Sequence, residues 1–151
     1  MEDLEIRLTC GREEFETVLA IRREVFVEGQ SVPLDRELDG LDDGAEHILV
    51  LLGSEPIGCA RVRTTGRTAR LERIAVLKGW RGKGFGQRLV VFLVDHCQKH
   101  GMEKVVLHSQ CAVRGFYEEL GFTAHGPIFM DAGIEHVRMV LGVPSAGNDP
   151  D

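Results

Sequence analysis

Gly79, Gly82, Gly84 and Gly86 are interleaved with Arg81 and Lys83. That composition suits an anion. Ahead of it, Leu71 to Leu77 is mostly apolar and β-branched, as in a buried strand. Behind it, Leu89, Val90, Phe92, Leu93 and Cys97 recur at helical spacing, and Gly101 stands where a C-terminal cap belongs. The order is therefore strand, glycine turn, helix. The first amides of a helix have no partner within it, and the macrodipole makes that end positive. Glycines let an oxygen-rich group reach those amides without a Cβ in the way, and a diphosphate fits such a nest. The plain alternative is a tight surface turn carrying ordinary basic residues.

Two phosphate-binding patterns do not fit. A P-loop needs G-x-x-x-x-G-K-[ST], and no such string exists in the chain. A dinucleotide loop needs G-x-G-x-x-G, but Leu89 stands at the third glycine position after Gly84 and Gly86. That fold also calls for an acidic residue ending the next strand, where this chain has Ser109 and Gln110.

The string from Arg81 through Gly84 to Gly86 reads R-x-x-G-x-G. It resembles the acyl-CoA pyrophosphate loop, Q/R-x-x-G-x-G/A, of the GNAT superfamily of N-acetyltransferases. A second stretch, from Gln110 through Tyr117 to Gly121 and Phe122, resembles that family's closing segment, N-x-x-A-x-x-x-Y-x-x-x-G-F. Gln110 replaces the Asn and Val113 the Ala. The resemblance spans residues 4 to 141. Val25-Phe26-Val27, Gln30, Pro33, Glu37 and Asp39 further resemble the small bacterial ElaA-like subgroup.

The resemblance implies transfer of an acetyl group from acetyl-CoA to a primary amine, by direct attack in a ternary complex. It assigns Arg81, Gly82, Lys83, Gly84, Phe85 and Gly86 to the diphosphate. The backbone of Ile74, Ala75 and Val76 and the side chain of Gln110 would hold pantetheine. Tyr117 would protonate the departing thiolate; a phenol with a pKa of about 10 is a reasonable donor to a thiolate of about 8.5. Glu72, read by strand alternation on the side of Ile74, and His108, on the face of Gln110, are the candidate bases. Against these stand a half-buried aromatic for Tyr117, a cross-strand ion pair with Arg61 or Arg63 for Glu72, and a core histidine for His108. A non-catalytic acyl-CoA-binding module would keep the glycine turn without needing Tyr117.

The elements that must position these residues follow the pattern of one α/β domain over residues 1 to 141. The resemblance implies a GNAT-type mixed, mostly antiparallel sheet of about seven strands with helices on both faces. Strands are expected at 4–8, 47–52, 57–64, 69–77, 104–110, 122–130 and 135–141, and helices at 12–26, 87–101 and 112–120. Residues 142–151 (GVPSAGNDPD) read as a disordered polar tail. On the first helix Arg22 shares the apolar face, as an ion-pair partner or with its stem packed at the edge.

Between that helix and the second strand lies an acidic stretch: Glu28, Asp35, Glu37, Asp39, Asp42, Asp43 and Glu46. Asp35, Glu37, Asp39, Gly40, Asp43 and Glu46 fall at positions 1, 3, 5, 6, 9 and 12 of an EF-hand loop. Asp42 occupies the usually apolar position, however, and HILVLL follows where a second helix is needed. No metal is expected. His96 and His100 are four apart but lack the H-E-x-x-H glutamate and read as structural. The resemblance instead puts the acidic stretch on the acceptor side, where carboxylates would attract an ammonium; a solvated loop is the plain reading.

The net charge of −6 disfavours nonspecific nucleic-acid or acidic-membrane binding. No apolar run approaches the ~20 residues of a membrane span. Four cysteines without a C-x-x-C pair, and no secretory signal, read as reduced thiols in a cytoplasm. The partner expected is a small-molecule or peptide amine, with a homodimer compatible.

Overall fold

The computed structural model describes residues 3–142. Seven strands, β1 (Leu4–Leu8), β2 (Glu46–Leu52), β3 (Glu55–Thr65), β4 (Thr68–Val76), β5 (Lys104–Gln110), β6 (Thr123–Asp131) and β7 (Ile134–Gly142), form one sheet in the order β1-β2-β3-β4-β5-β7-β6. The β4–β5 pair is parallel, whereas β1–β2, β2–β3, β5–β7 and β6–β7 are antiparallel. The helices are α1 (Gly11–Arg22), α2 (Leu34–Glu37), α3 (Phe85–Lys99) and α4 (Arg114–Glu119). This is the mixed, mostly antiparallel α/β architecture expected.

The chain divides into two compact units, residues 3–63 with 72–90 and residues 64–71 with 91–142. In the first, Val18, Ile21 and Val25 pack with Leu49, Leu51, Cys59 and Ala75, and Phe26 and Leu77 cover them. The 3.6 periodicity of α1 meets the period of two in the strands, which is why those residues form one core. Gly58 lets β3 approach β4 closely: a Cβ there would lie 2.7 Å from the Ala75 carbonyl oxygen. In the second unit Val105, Val106 and Leu107 are buried in succession; side chains alternate faces along a strand, so β5 is buried on both faces. Ala132 and Gly133, both at positive φ, turn the β6–β7 hairpin.

Several boundaries differ from the sequence reading, each for a physical reason. The first helix stops as an α-helix at Arg22 and continues as a π-helix over Arg23–Glu28. Leu34–Glu37 is a short helix inside the stretch read as irregular; Pro33 stands at its N-cap and presets the backbone there. The segment 112–120 begins as a 3₁₀ turn, Cys111–Val113, before α4. The register of β6 shifts between His125 and Phe129, beside Gly126 at φ +84°. Gly142 ends β7 rather than opening a tail, and the rest of the expected tail, residues 143–151, lies outside the described residues. No described helix is long and apolar enough to cross a membrane.

Candidate functional site

The glycine turn folds as the sequence suggests. After β4, Leu77 N–H donates to Ile57 O at 2.8 Å, and Lys78–Trp80 forms a 3₁₀ turn. Gly82 and Gly84 adopt φ +77° and +86°, and no heavy atom outside the immediate chain neighbours lies within 4 Å of a Cβ placed on either. Glycine is needed here for conformation, and the space over the turn is open. The turn then enters α3, where Arg88 N–H reaches Gly84 O at 3.2 Å. The amides of Phe85, Gly86 and Gln87 precede that bond and belong to the group that a helix leaves without an internal partner. Arg81 folds back, its Nε donating to Val76 O at 2.8 Å, which ties the turn to the end of β4. Lys83 is exposed. The turn thus combines the positive end of a fifteen-residue helix, two open glycines and two cations, features that favour an anion.

The end of β4 is irregular in a way its residue types do not announce. Arg73 has φ +55°, the one non-glycine residue at positive φ inside a strand among the described residues. Such a conformation costs about 1–2 kcal/mol for a residue with a Cβ. It breaks the alternation that was to place Glu72 on the side of Ile74, so that inference from spacing fails. Farther along, Leu77 donates towards β3. By alternation the N–H groups of Ile74 and Val76 therefore face away from β3. The parallel ladder with β5 runs from Thr68↔Lys104 to Leu71↔Leu107, and β4 continues five residues beyond it, to Val76.

Glu72 sits between two guanidinium groups. Arg63 grips it with both arms, Nε to Oε1 at 2.7 Å and a terminal nitrogen to Oε2 at 2.8 Å, and Arg61 adds bonds of 3.0 and 2.8 Å. Burial alone would raise its carboxyl, but the Arg63 and Arg61 bonds win and hold it at about 2. The ion-pair alternative describes it, and a carboxylate so held is a weak base towards an ammonium.

Arg61, 1% exposed, also reaches Asp39 (2.9 and 2.8 Å) and Asp42 (2.9 Å). Arg22, also 1% exposed, bonds Asp42 at 2.8 Å and donates its Nε to the Glu37 carboxylate. The acidic stretch is thus knitted to arginines of α1, β3 and β4. Glu37 and Asp39, two of the EF-hand positions, are engaged by guanidinium groups, as is Asp42. The hydrogen bond from Arg61 pulls the Asp39 carboxyl far below its ordinary range.

In the second unit, His108 is exposed on β5 rather than in the core, paired in register with Arg138. Its Nδ1 lies 3.5 Å from an Arg70 terminal nitrogen, and Phe129 meets it edge-on at 5.0 Å. Gln110, half-buried, ends β5 two residues on, with the buried Ser109 pointing to the other face between them. Tyr117 is half-buried on α4 between Phe116 and Phe122, at ring distances of 5.0 and 6.0 Å. Burial pushes its phenol up to about 12.

The first unit therefore brings together Glu72, Ile74 to Val76 and Arg81 to Gly86, and the second holds His108, Gln110 and Tyr117. Sequence reasoning missed the left-handed backbone at Arg73, an angle that no composition signals. The charged face of Arg22 opposite an acidic stretch was a usable signal for the ion network.

The family model described as "Acetyltransferase (GNAT) domain" matches residues 9–143. The uncharacterized N-acetyltransferase YjcF of Bacillus subtilis (strain 168) is 35% identical over 131 residues, covering 86% of this chain and 94% of that protein. Escherichia coli ElaA is 29% identical over 134 residues, or 85% of this chain and 88% of ElaA. The ElaA crystal structure superposes with a TM-score of 0.82 at 25% identity, over 93% of this chain and 99% of ElaA. A Bacillus subtilis acetyltransferase solved in complex with CoA shares the fold at a TM-score of 0.71 and 19% identity, over 94% of this chain and all of that one. The chain belongs to the GNAT acetyltransferase family.

Proposed function

We propose that this protein transfers an acetyl group from acetyl-CoA to a primary amine of a small molecule or peptide in the cytoplasm, by direct attack in a ternary complex. The observation that carries this is the turn from Arg81 to Gly86, open above two left-handed glycines at the N-terminus of α3. Arg81, Gly82, Lys83, Gly84, Phe85 and Gly86 would hold the diphosphate. The backbone of Ile74, Ala75 and Val76, with the Gln110 side chain, would hold the pantetheine arm. Acetyl-CoA supplies the acetyl group as an activated thioester.

The chain's own residues manage the protons. Tyr117 keeps its phenol protonated throughout the neutral range, because burial disfavours the phenolate. It is the proposed donor to the departing sulfur. Exposed His108 is the proposed acceptor of the ammonium proton, directly or through water. Glu72, locked by Arg61 and Arg63, is the weaker candidate base and contributes mainly negative charge.

The test is free-CoA release over a panel of primary amines, parent beside Tyr117→Phe. Loss of a general acid lowers kcat by about 100-fold or more, with acetyl-CoA affinity nearly unchanged. Equal rates would remove Tyr117 from the chemistry. Binding without turnover of any amine by the parent would favour a non-catalytic acyl-CoA-binding module.

A further inference from the structure

Arg73 stands in the left-handed region within β4, where a strand residue has no local reason to be. Such strain persists only when the surroundings over-determine it. Here they do. One terminal nitrogen of Arg73 donates to Glu37 O at 3.0 Å, to Arg36 O at 3.3 Å and to Asp39 Oδ2 at 3.2 Å. Its Nε lies 3.0 Å from Glu37 Oε1, too oblique for a hydrogen bond but a close ion pair. Glu37 is itself fixed: its side chain is 3% exposed, Arg22 bonds its carboxylate, and its carbonyl accepts from Arg22 at 3.1 Å. The last residue of α2 therefore clamps a kink in β4 against the last residue of α1.

The kink lies immediately before Ile74. A left-handed residue re-aims the peptide groups that follow it, and a bulge that redirects a strand is often found beside an active site. We infer that Arg73, clamped by Glu37 and Asp39, is a positioning residue for acyl transfer: it fixes the bulge that aims the Ile74 to Val76 backbone at the acyl donor. This rests on the acetyltransferase reading above. The side chain acts through the backbone and touches no substrate in this account.

That distinction makes the inference testable with two substitutions. Valine is β-branched and strongly disfavours positive φ, while glycine adopts it freely. Neither can make the clamp. Arg73→Val should lower kcat at least tenfold, since small misplacements near the reacting centre are costly. Its acetyl-CoA Kd should stay within about threefold, because the diphosphate contacts lie on the Arg81–Gly86 turn. Arg73→Gly should recover at least about fivefold of the rate lost by valine. Native-state exchange of the Leu77 amide, which donates to Ile57 O just beyond the kink, should be faster in both variants than in the parent when read by NMR on free protein. Valine at near-parental kcat, glycine as impaired as valine in a folded protein, or unchanged Leu77 exchange would each overturn the inference. A parent that binds no acetyl-CoA would instead overturn the functional reading on which it rests.

Discussion

Replacing Arg61 with methionine tests whether the ion network carries weight in the fold. The guanidinium makes five hydrogen bonds to Asp39, Asp42 and Glu72 from a side chain only 1% exposed. Methionine is flexible enough to occupy the vacated space, so the loss is mainly electrostatic. Removing one partner of a buried ion pair costs about 3–5 kcal/mol because charge is left uncompensated. Here each carboxylate keeps a second cation: Asp42 has Arg22, Asp39 has Arg73 and Glu72 has Arg63. The low end, about 3 kcal/mol, is therefore expected. That is a large share of a typical stability of about 5–15 kcal/mol. With a urea slope of about 2 kcal/mol per molar, the midpoint should fall by about 1.5 M. Urea denaturation followed by circular dichroism reads this directly. Combining Arg61→Met with Glu72→Gln should cost less than the sum of the single changes, since the two residues bond each other. A midpoint shift below about 0.5 M, or strict additivity, would refute the view that the network acts as a unit.

Acid should weaken the fold through the same groups. Glu72 is held at about 2 against an ordinary 4.5, and Asp39 is also lowered, so the native state releases these protons more readily than the unfolded chain. Their stabilisation is present above about pH 4.5 and lost as pH falls through about 2. Glu72 alone accounts for at most about 3 kcal/mol of that change. Urea midpoints measured across this window should drop, with a shallower fall in Arg61→Met; a flat profile in the parent would contradict the assignment. Gly58→Ala should destabilise by about 1–3 kcal/mol, because its Cβ would press on the Ala75 carbonyl oxygen from 2.7 Å and the strands must separate. A thermal melt matching the parent's would show that β3 and β4 are less closely apposed.

Much of the fold was legible because periodicity and punctuation agree over long stretches. Lys104–Gln110 was read to the residue: three consecutive apolar residues, between Gly101 and the helical pattern that starts at Ala112, leave little choice. The glycine turn was legible for a different reason. Its glycines are spaced for backbone conformations that other residues resist, and two of them do adopt positive φ. What could not be read was set by long-range contacts. Arg73 enters the left-handed region because Glu37, thirty-six residues away in sequence, holds it there. The role of Glu72 was decided by Arg61 and Arg63 on the adjacent strand, and spacing along its own strand gave the wrong face once the bulge intervened. The acidic stretch matched a cation loop in its spacing, but Glu37, Asp39 and Asp42 are held by the buried Arg22 and Arg61. Helix α2 is four residues long, too short for any periodicity to show.

Acetyl-CoA binding by calorimetry, parent beside Gly84→Glu, tests the central claim most directly. The substitution puts a side chain at φ +86° and an anion over the open turn, where the diphosphate is to sit. Micromolar binding by the parent, weakened at least about 100-fold in a variant whose circular dichroism matches the parent's, is the result this account predicts. No binding by a folded parent, or equal binding by the variant, would contradict it.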